Sequence, residues 1–210
     1  MTPGALVRAV AAAFDLSEAV VAQHDRRLAE EGFRTKGGRG ASAPQVTAED
    51  AAKLIIATLA GERFSQTFAT VRDLWNAPVM LPPVAQGTEG PGHALVIQQQ
   101  IKSLSEFDAA ISNECNFGEA TSALLKDCIN GQMEAFLKSG NLAPRQRFQL
   151  RVIRPSAEAK ISFGHTQSPD ASLEFNFRGA TDSDVSREIT TTHEISVLPL
   201  LRIAEQMRTP

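Results

Sequence analysis

The chain has 210 residues, 42% of them hydrophobic, and a formal net charge of −3. That apolar fraction supports a packed core and argues against wholesale disorder, and no apolar run approaches the roughly 20 residues that span a bilayer. A global basic field is excluded, so any contact with nucleic acid has to rest on charge that is local.

The length fits one large domain or two small ones. The opening MTPGALVRAV carries neither the long apolar segment nor the cleavage site of a signal peptide, so the expected location is cytoplasmic, with no membrane partner. In a reducing compartment Cys115 and Cys128 are expected as small buried residues rather than as a disulfide.

Along the chain, Leu6, Val7, Val10 and Phe14 recur at helical spacing and predict a first helix over residues 5–14. Asp15-Leu16-Ser17 reads as a turn, with Ser17 as N-cap and Glu18 in the first turn of a second helix. That helix runs to about Glu31 and stops at Gly32, the residue type that most readily turns left-handed after a helix. Lys36-Gly37-Gly38-Arg39-Gly40 reads as the tip of a tight basic hairpin; Arg34, Lys36 and Arg39 lie in a stretch free of acids. Thr47, with Asp50 three residues on, caps a third helix with an apolar stripe at Ala51, Leu54, Ile55, Thr58 and Leu59. A helical pattern resumes after Gly61 and reaches Trp75.

From Asn76 to His93 four prolines and three glycines forbid regular helix and predict a linker. The expected division is therefore residues 1–75, a linker over 76–93, and a second domain over 94–210. Within that domain, 94–105 is ambiguous between strand and helix, and Phe117–Lys138 reads as one helix ended by Gly140-Asn141. The period then changes to two: Arg147–Arg154, Ala159–Phe163 and Leu173–Arg178 alternate polar and apolar, and Glu188–Ile195 is rich in Thr and Ile. Turn residues between them predict a small antiparallel sheet with one wet face. Ser196 caps a last helix with Val197, Leu200, Leu201, Ala204 and Met207 on one side.

A helix, a turn, a second helix and a basic Gly-rich hairpin form the order of a helix-turn-helix with a wing. Val21 and Leu28 fit the inner face of the second helix, flanked by Val20 and by His24, a core or boundary histidine. Ser17 and Glu18 open this helix, and Gln23, Arg26 and Arg27 lie on its outside. Gln bonds adenine bidentately and Arg bonds guanine, so Gln23 and Arg26 suit base edges. Arg27, Arg34, Lys36 and Arg39 suit phosphates, and Gly37, Gly38 and Gly40 would allow close backbone approach.

On these residues the segment AAAFDLSEAVVAQHDRRLAEEGFRTKGGRG resembles the winged helix-turn-helix of small bacterial transcription regulators. Leu16-Ser17 stands where that family opens its recognition helix, and Leu28-x-x-x-Gly32-Phe33 where it closes it. Phe14-Asp15-Leu16 occupies the place of a Leu-Gly-Leu turn. The following GGRG and VT-x-x-DAAKLIIATLA are similar to proteins encoded in prophage-like regions of proteobacteria. The resemblance covers about 60 residues. It implies an α+β chain with an N-terminal winged helix-turn-helix and a C-terminal domain of helices plus a small antiparallel sheet. The implied function is sequence-specific binding of double-stranded DNA, as a transcription regulator of a prophage or related mobile element.

A single winged helix reads a short site, so a homodimer or higher homo-oligomer is expected, with Leu198, Leu200, Leu201 and Ile203 as its apolar surface. Two other readings stay open: the DNA-recognition subunit of a phage packaging terminase, and an adaptor whose winged helix docks RNA polymerase or another phage protein. Arg145, Arg147, Arg151 and Arg154 fit a solvated strand face better than a second nucleic-acid surface. No enzyme, cofactor or metal is expected. Neither Gly-rich stretch has the lysine of a phosphate-binding loop, His93, His165 and His193 lack metal spacing, and Asp182-Ser-Asp184 sits where acids are routine in turns.

Overall fold

The computed structural model describes residues 1–34, 45–61, 67–86, 91–139, 146–154, 157–165, 168–179 and 191–208. Helix α1 (Pro3–Phe14) starts at Thr2, whose hydroxyl accepts from the Ala5 amide, with Pro3 pre-set in its first turn. It ends at Asp15, which takes the left-handed conformation (φ 55°, ψ 44°). Ser17 then caps α2 (Glu18–Glu30) by accepting from the Val20 amide. Gly32 turns left-handed after it (φ 72°). A complete capping box between Thr47 and Asp50 opens α3 (Ala48–Ala60), and α4 (Thr67–Trp75) follows. The α2 and α3 boundaries agree with the local signals that predicted them; α1 starts two residues earlier than expected, and the start of the pattern expected after Gly61 lies outside the described residues.

The stretch expected as a linker holds a strand, β1 (Val79–Gln86), paired antiparallel with β4 (Ser168–Arg178). Pro82 and Pro83 are accommodated because β1 is an edge strand whose register shifts between Met80 and Val84. The ambiguous segment after it is helical, as α5 (Pro91–Ile101), and α6 (Ser105–Ser112) follows. The long helix expected from Phe117 is two: α7 (Phe117–Ile129) and α8 (Gln132–Ser139), separated where Gly131 adopts φ 79°. Strands β2 (Gln146–Arg154), β3 (Glu158–His165) and β4 cover the alternating segments, β4 starting at Ser168 in residues expected as a turn. Strand β5 (Thr191–Ser196) falls in the Thr-rich segment, of which 188–190 lie outside the described residues, and α9 (Val197–Arg208) ends the described chain.

The chain is therefore α+β, with a five-stranded antiparallel sheet in the order β1-β4-β3-β2-β5. One face is apolar: Phe148, Leu150 and Val152 of β2, Ala159, Ile161 and Phe163 of β3, and Leu173, Phe175 and Phe177 of β4 are all buried. The other carries cross-strand ion pairs, Arg151–Glu194 at 2.8 Å and Lys160–Glu174 at 3.4 Å, as the period-two pattern requires of a solvated face.

The core continues across the expected linker. Helix α1 packs against α9 and α3 against α7, so residues from both ends of the chain share one apolar cluster. Gly118 of α7 lets the Trp75 ring lie on the helix backbone, where a Cβ would stand 2.1 Å from the indole. Asp127, fully buried on α7, accepts from the Glu106 and Phe107 amides at 3.1 and 3.0 Å and so caps α6, which has no local cap. Arg208 of α9 donates to the Ile129 and Cys128 carbonyls at the end of α7. Leu200 and Ile203, expected on an oligomer surface, are buried within this packing, because α9 uses its stripe against α1 and α7; Leu198 remains 58% exposed. Cys115 and Cys128 are buried free thiols, pushed up by burial to about 11 and about 12. No helix among the described residues is long and apolar enough to cross a membrane.

Candidate nucleic-acid interface

The candidate site is the side of α2 turned away from the core. Val21 and Leu28 are fully buried and His24 nearly so, which fixes the inner face at the predicted positions. Burial lowers the pKa of His24, so its imidazole is neutral at pH 7. The opposite side presents Glu18, Gln23, Arg26 and Glu30 to solvent. Gln23 and Arg26 stand three residues apart and therefore neighbour each other on one helix face. Ser17 is engaged in capping α2, leaving its exposed side chain at the helix N-terminus.

Two expected phosphate contacts take a different course. Arg34 is 8% exposed and forks onto Asp25, with Nε 2.6 Å from Oδ1 and Nη2 3.0 Å from Oδ2. Its guanidinium holds the chain onto α2 from inside and is not presented to a phosphate. Burial raises the Asp25 pKa while Arg34 opposes the rise; Asp50 adds to it. Arg27 is half-buried and pairs with Glu30 at 2.9 Å. Lys36, Gly38 and Arg39, with Gly37 and Gly40, lie outside the described residues.

Of the Asp25–Arg34 pair only the carboxylate is marked locally. Asp25 stands four residues after Val21 and three before Leu28, on the apolar stripe, where a carboxylate requires a partner. A second cation missed by sequence reasoning is Lys53 of α3. Its ammonium lies 4.6 Å from the Phe33 ring centroid and 4.9 Å from that of Trp75, and it bonds Glu49 at 2.6 Å. It stabilises the junction of α2, α3 and α4 and is half-buried.

On the outer side of α2 and its end, the exposed Arg26 and half-buried Arg27 stand among the exposed Glu18, Glu30 and Glu31, so the described surface carries no cationic excess. The basic series on β2 is also divided: Arg151 is paired across the outer face, Arg154 falls on the opposite face by alternation, and Arg145 lies outside the described residues. Among the described residues no three His, Cys, Asp or Glu side chains gather closely enough to hold a metal ion. Compared with known proteins, the chain matches no family model, no curated protein and no solved structure.

Proposed function

We propose that this chain is a sequence-specific DNA-binding protein that reads base edges with Gln23 and Arg26 of α2, acting as a transcription regulator of a prophage or related mobile element. The observation that carries the reading is the arrangement of α1, the left-handed turn at Asp15 and the Ser17-capped α2. It holds Val21 and Leu28 inward and leaves Gln23 and Arg26 exposed side by side. Side chains of these two types offer paired donors and acceptors of the kind that distinguish base pairs in a major groove. Affinity then comes from the Lys36 and Arg39 cations of the Gly-rich segment, with a second copy of the chain supplying the other half-site.

With about two phosphate contacts per protomer, log K should fall with log salt at a slope of about −2 per protomer. Selection of duplexes from a randomised pool by the full chain tests the proposal: a short motif should emerge, paired at a spacing of about one or two helical turns.

One observation favours a second reading. Carboxylates outnumber arginines on the exposed side of α2, which suits docking of a protein, such as RNA polymerase, better than docking of a polyanion. On that reading no motif emerges from the same pool.

A further inference from the structure

A cleft of about 470 Å³ opens where the α1–α2 turn, the end of α3 and strand β5 meet. Its apolar lining comes from each of them: Phe14 and Leu16 at the turn, Val20 of α2, Leu59 of α3 and Ile195 of β5. Leu16 remains 42% exposed there, large for an apolar side chain beside a core.

Within this lining one polar group is unmatched. His193 stands opposite Val152 in the β2–β5 ladder, on the sheet face that carries the core, and is one of the residues lining the cleft. Its Nε2 is buried and has no hydrogen-bond partner among the described residues. Gly61 lies against the same ring edge: with φ 59° it ends α3, and a Cβ there would stand 3.6 Å from Cε1 and 3.8 Å from Nε2. Both are ordinary contact distances, so glycine at this point answers to the left-handed backbone. The hydroxyl of Thr58, also in the lining, is already committed to the Leu54 carbonyl at 2.8 Å.

We infer that this cleft binds a small neutral molecule with an apolar body and one hydroxyl, a phenol or alcohol, whose hydroxyl bonds His193 Nε2. The volume lies in the range of small-molecule sites, and so does the composition, apolar walls with a few placed polar groups. Buried nitrogens seldom lack a partner, so the missing bond is one for a ligand to supply. In the Nδ1-protonated tautomer Nε2 is an acceptor, to which a hydroxyl donates and a methyl ether cannot. No Lys or Arg lines the cleft among the described residues, and its one carboxylate, Glu194, is held by Arg151. The inference stands whether or not α2 reads DNA.

The test uses 1-naphthol as probe and 1-methoxynaphthalene, which cannot donate, as its matched control, each titrated into the full chain. Saturable 1:1 binding of 1-naphthol is expected, roughly tenfold tighter than the methyl ether, the size of one net hydrogen bond. The ring nitrogen resonances of His193 should shift on addition of 1-naphthol to the unmodified protein. Val20→Trp should abolish binding by filling the cleft, and His193→Leu should erase the preference for the hydroxyl. Absence of saturable binding, equal affinity for the two probes, or His193 nitrogens that do not move on 1-naphthol binding would each overturn the inference.

Discussion

Arg34 grips Asp25 through two contacts, 2.6 Å at Nε and 3.0 Å at Nη2, and this buried fork ties the residue that follows α2 back onto the helix. The exit of the chain from α2 is thereby fixed by an ion pair, with the Phe33 and Arg34 amides both donating to the Leu28 carbonyl. Removing one partner leaves the other charge buried and unmatched, which costs about 3–5 kcal/mol. Arg34→Ala should therefore lower urea-unfolding stability by about that amount. The double variant Asp25→Leu/Arg34→Met should lose much less, because no buried charge is left behind. Equal losses in the single and double variants would contradict this account.

Gly118 makes a prediction of opposite sign to helix propensity. Alanine within a helix is about 1 kcal/mol better than glycine, yet a Cβ at 118 would stand 2.1 Å from the Trp75 ring. Trp75 cannot withdraw, since Phe33 packs on it edge-on at 5.7 Å and Lys53 lies over it. Gly118→Ala should destabilise by about 1–3 kcal/mol through overpacking. Trp75 is the sole tryptophan, so its fluorescence reports both the unfolding midpoint and any displacement of the ring.

Asp127 ties stability to pH. Its carboxylate caps α6, but burial outweighs those two amide bonds and raises its folded pKa above the ordinary value. The folded state therefore binds the Asp127 proton more tightly than the unfolded state does. Its contribution falls as pH rises from about 3.9, the unfolded value, through the raised folded pKa, and is level above that. Urea midpoints of the wild type and Asp127→Asn across this window should draw together in the wild type's disfavour as pH rises. A wild-type advantage that instead grows with pH would show that the two amides depress the pKa.

The local signals were readable because capping and turn chemistry act over three or four residues. Ser17, Gly32 and the Thr47–Asp50 box each fall where their residue types predict, and β2 to β4 follow from strict alternation over a one-sided core. What was not readable depends on distant neighbours. Pro82 and Pro83 argue against a strand, and only the edge position and shifted register of β1 admit them. The α9 stripe reads as an exposed apolar surface until α1 and α7 are found covering it. Arg34 reads as a surface cation because its acid-free surroundings conceal a carboxylate nine residues back, on the inner side of α2.

The two thiols should be inert in the native protein. Burial holds Cys115 near 11 and Cys128 near 12, and only the thiolate attacks a disulfide. A disulfide reagent such as Ellman's at pH 8 should give no rapid colour until denaturant is added. Prompt stoichiometric reaction of the folded chain would contradict the packing of α7.

The central claim is that Gln23 and Arg26 read bases, and the most direct measurement is anisotropy of a selected duplex against its single-base variants. Gln23→Ala and Arg26→Ala should each flatten the preference at one position by about 1–3 kcal/mol while retaining residual non-specific binding. Lys36→Ala should instead weaken binding on all sequences and make the salt slope shallower by about one. Wild-type base preference in both variants, or no binding above background at low salt, would contradict the account.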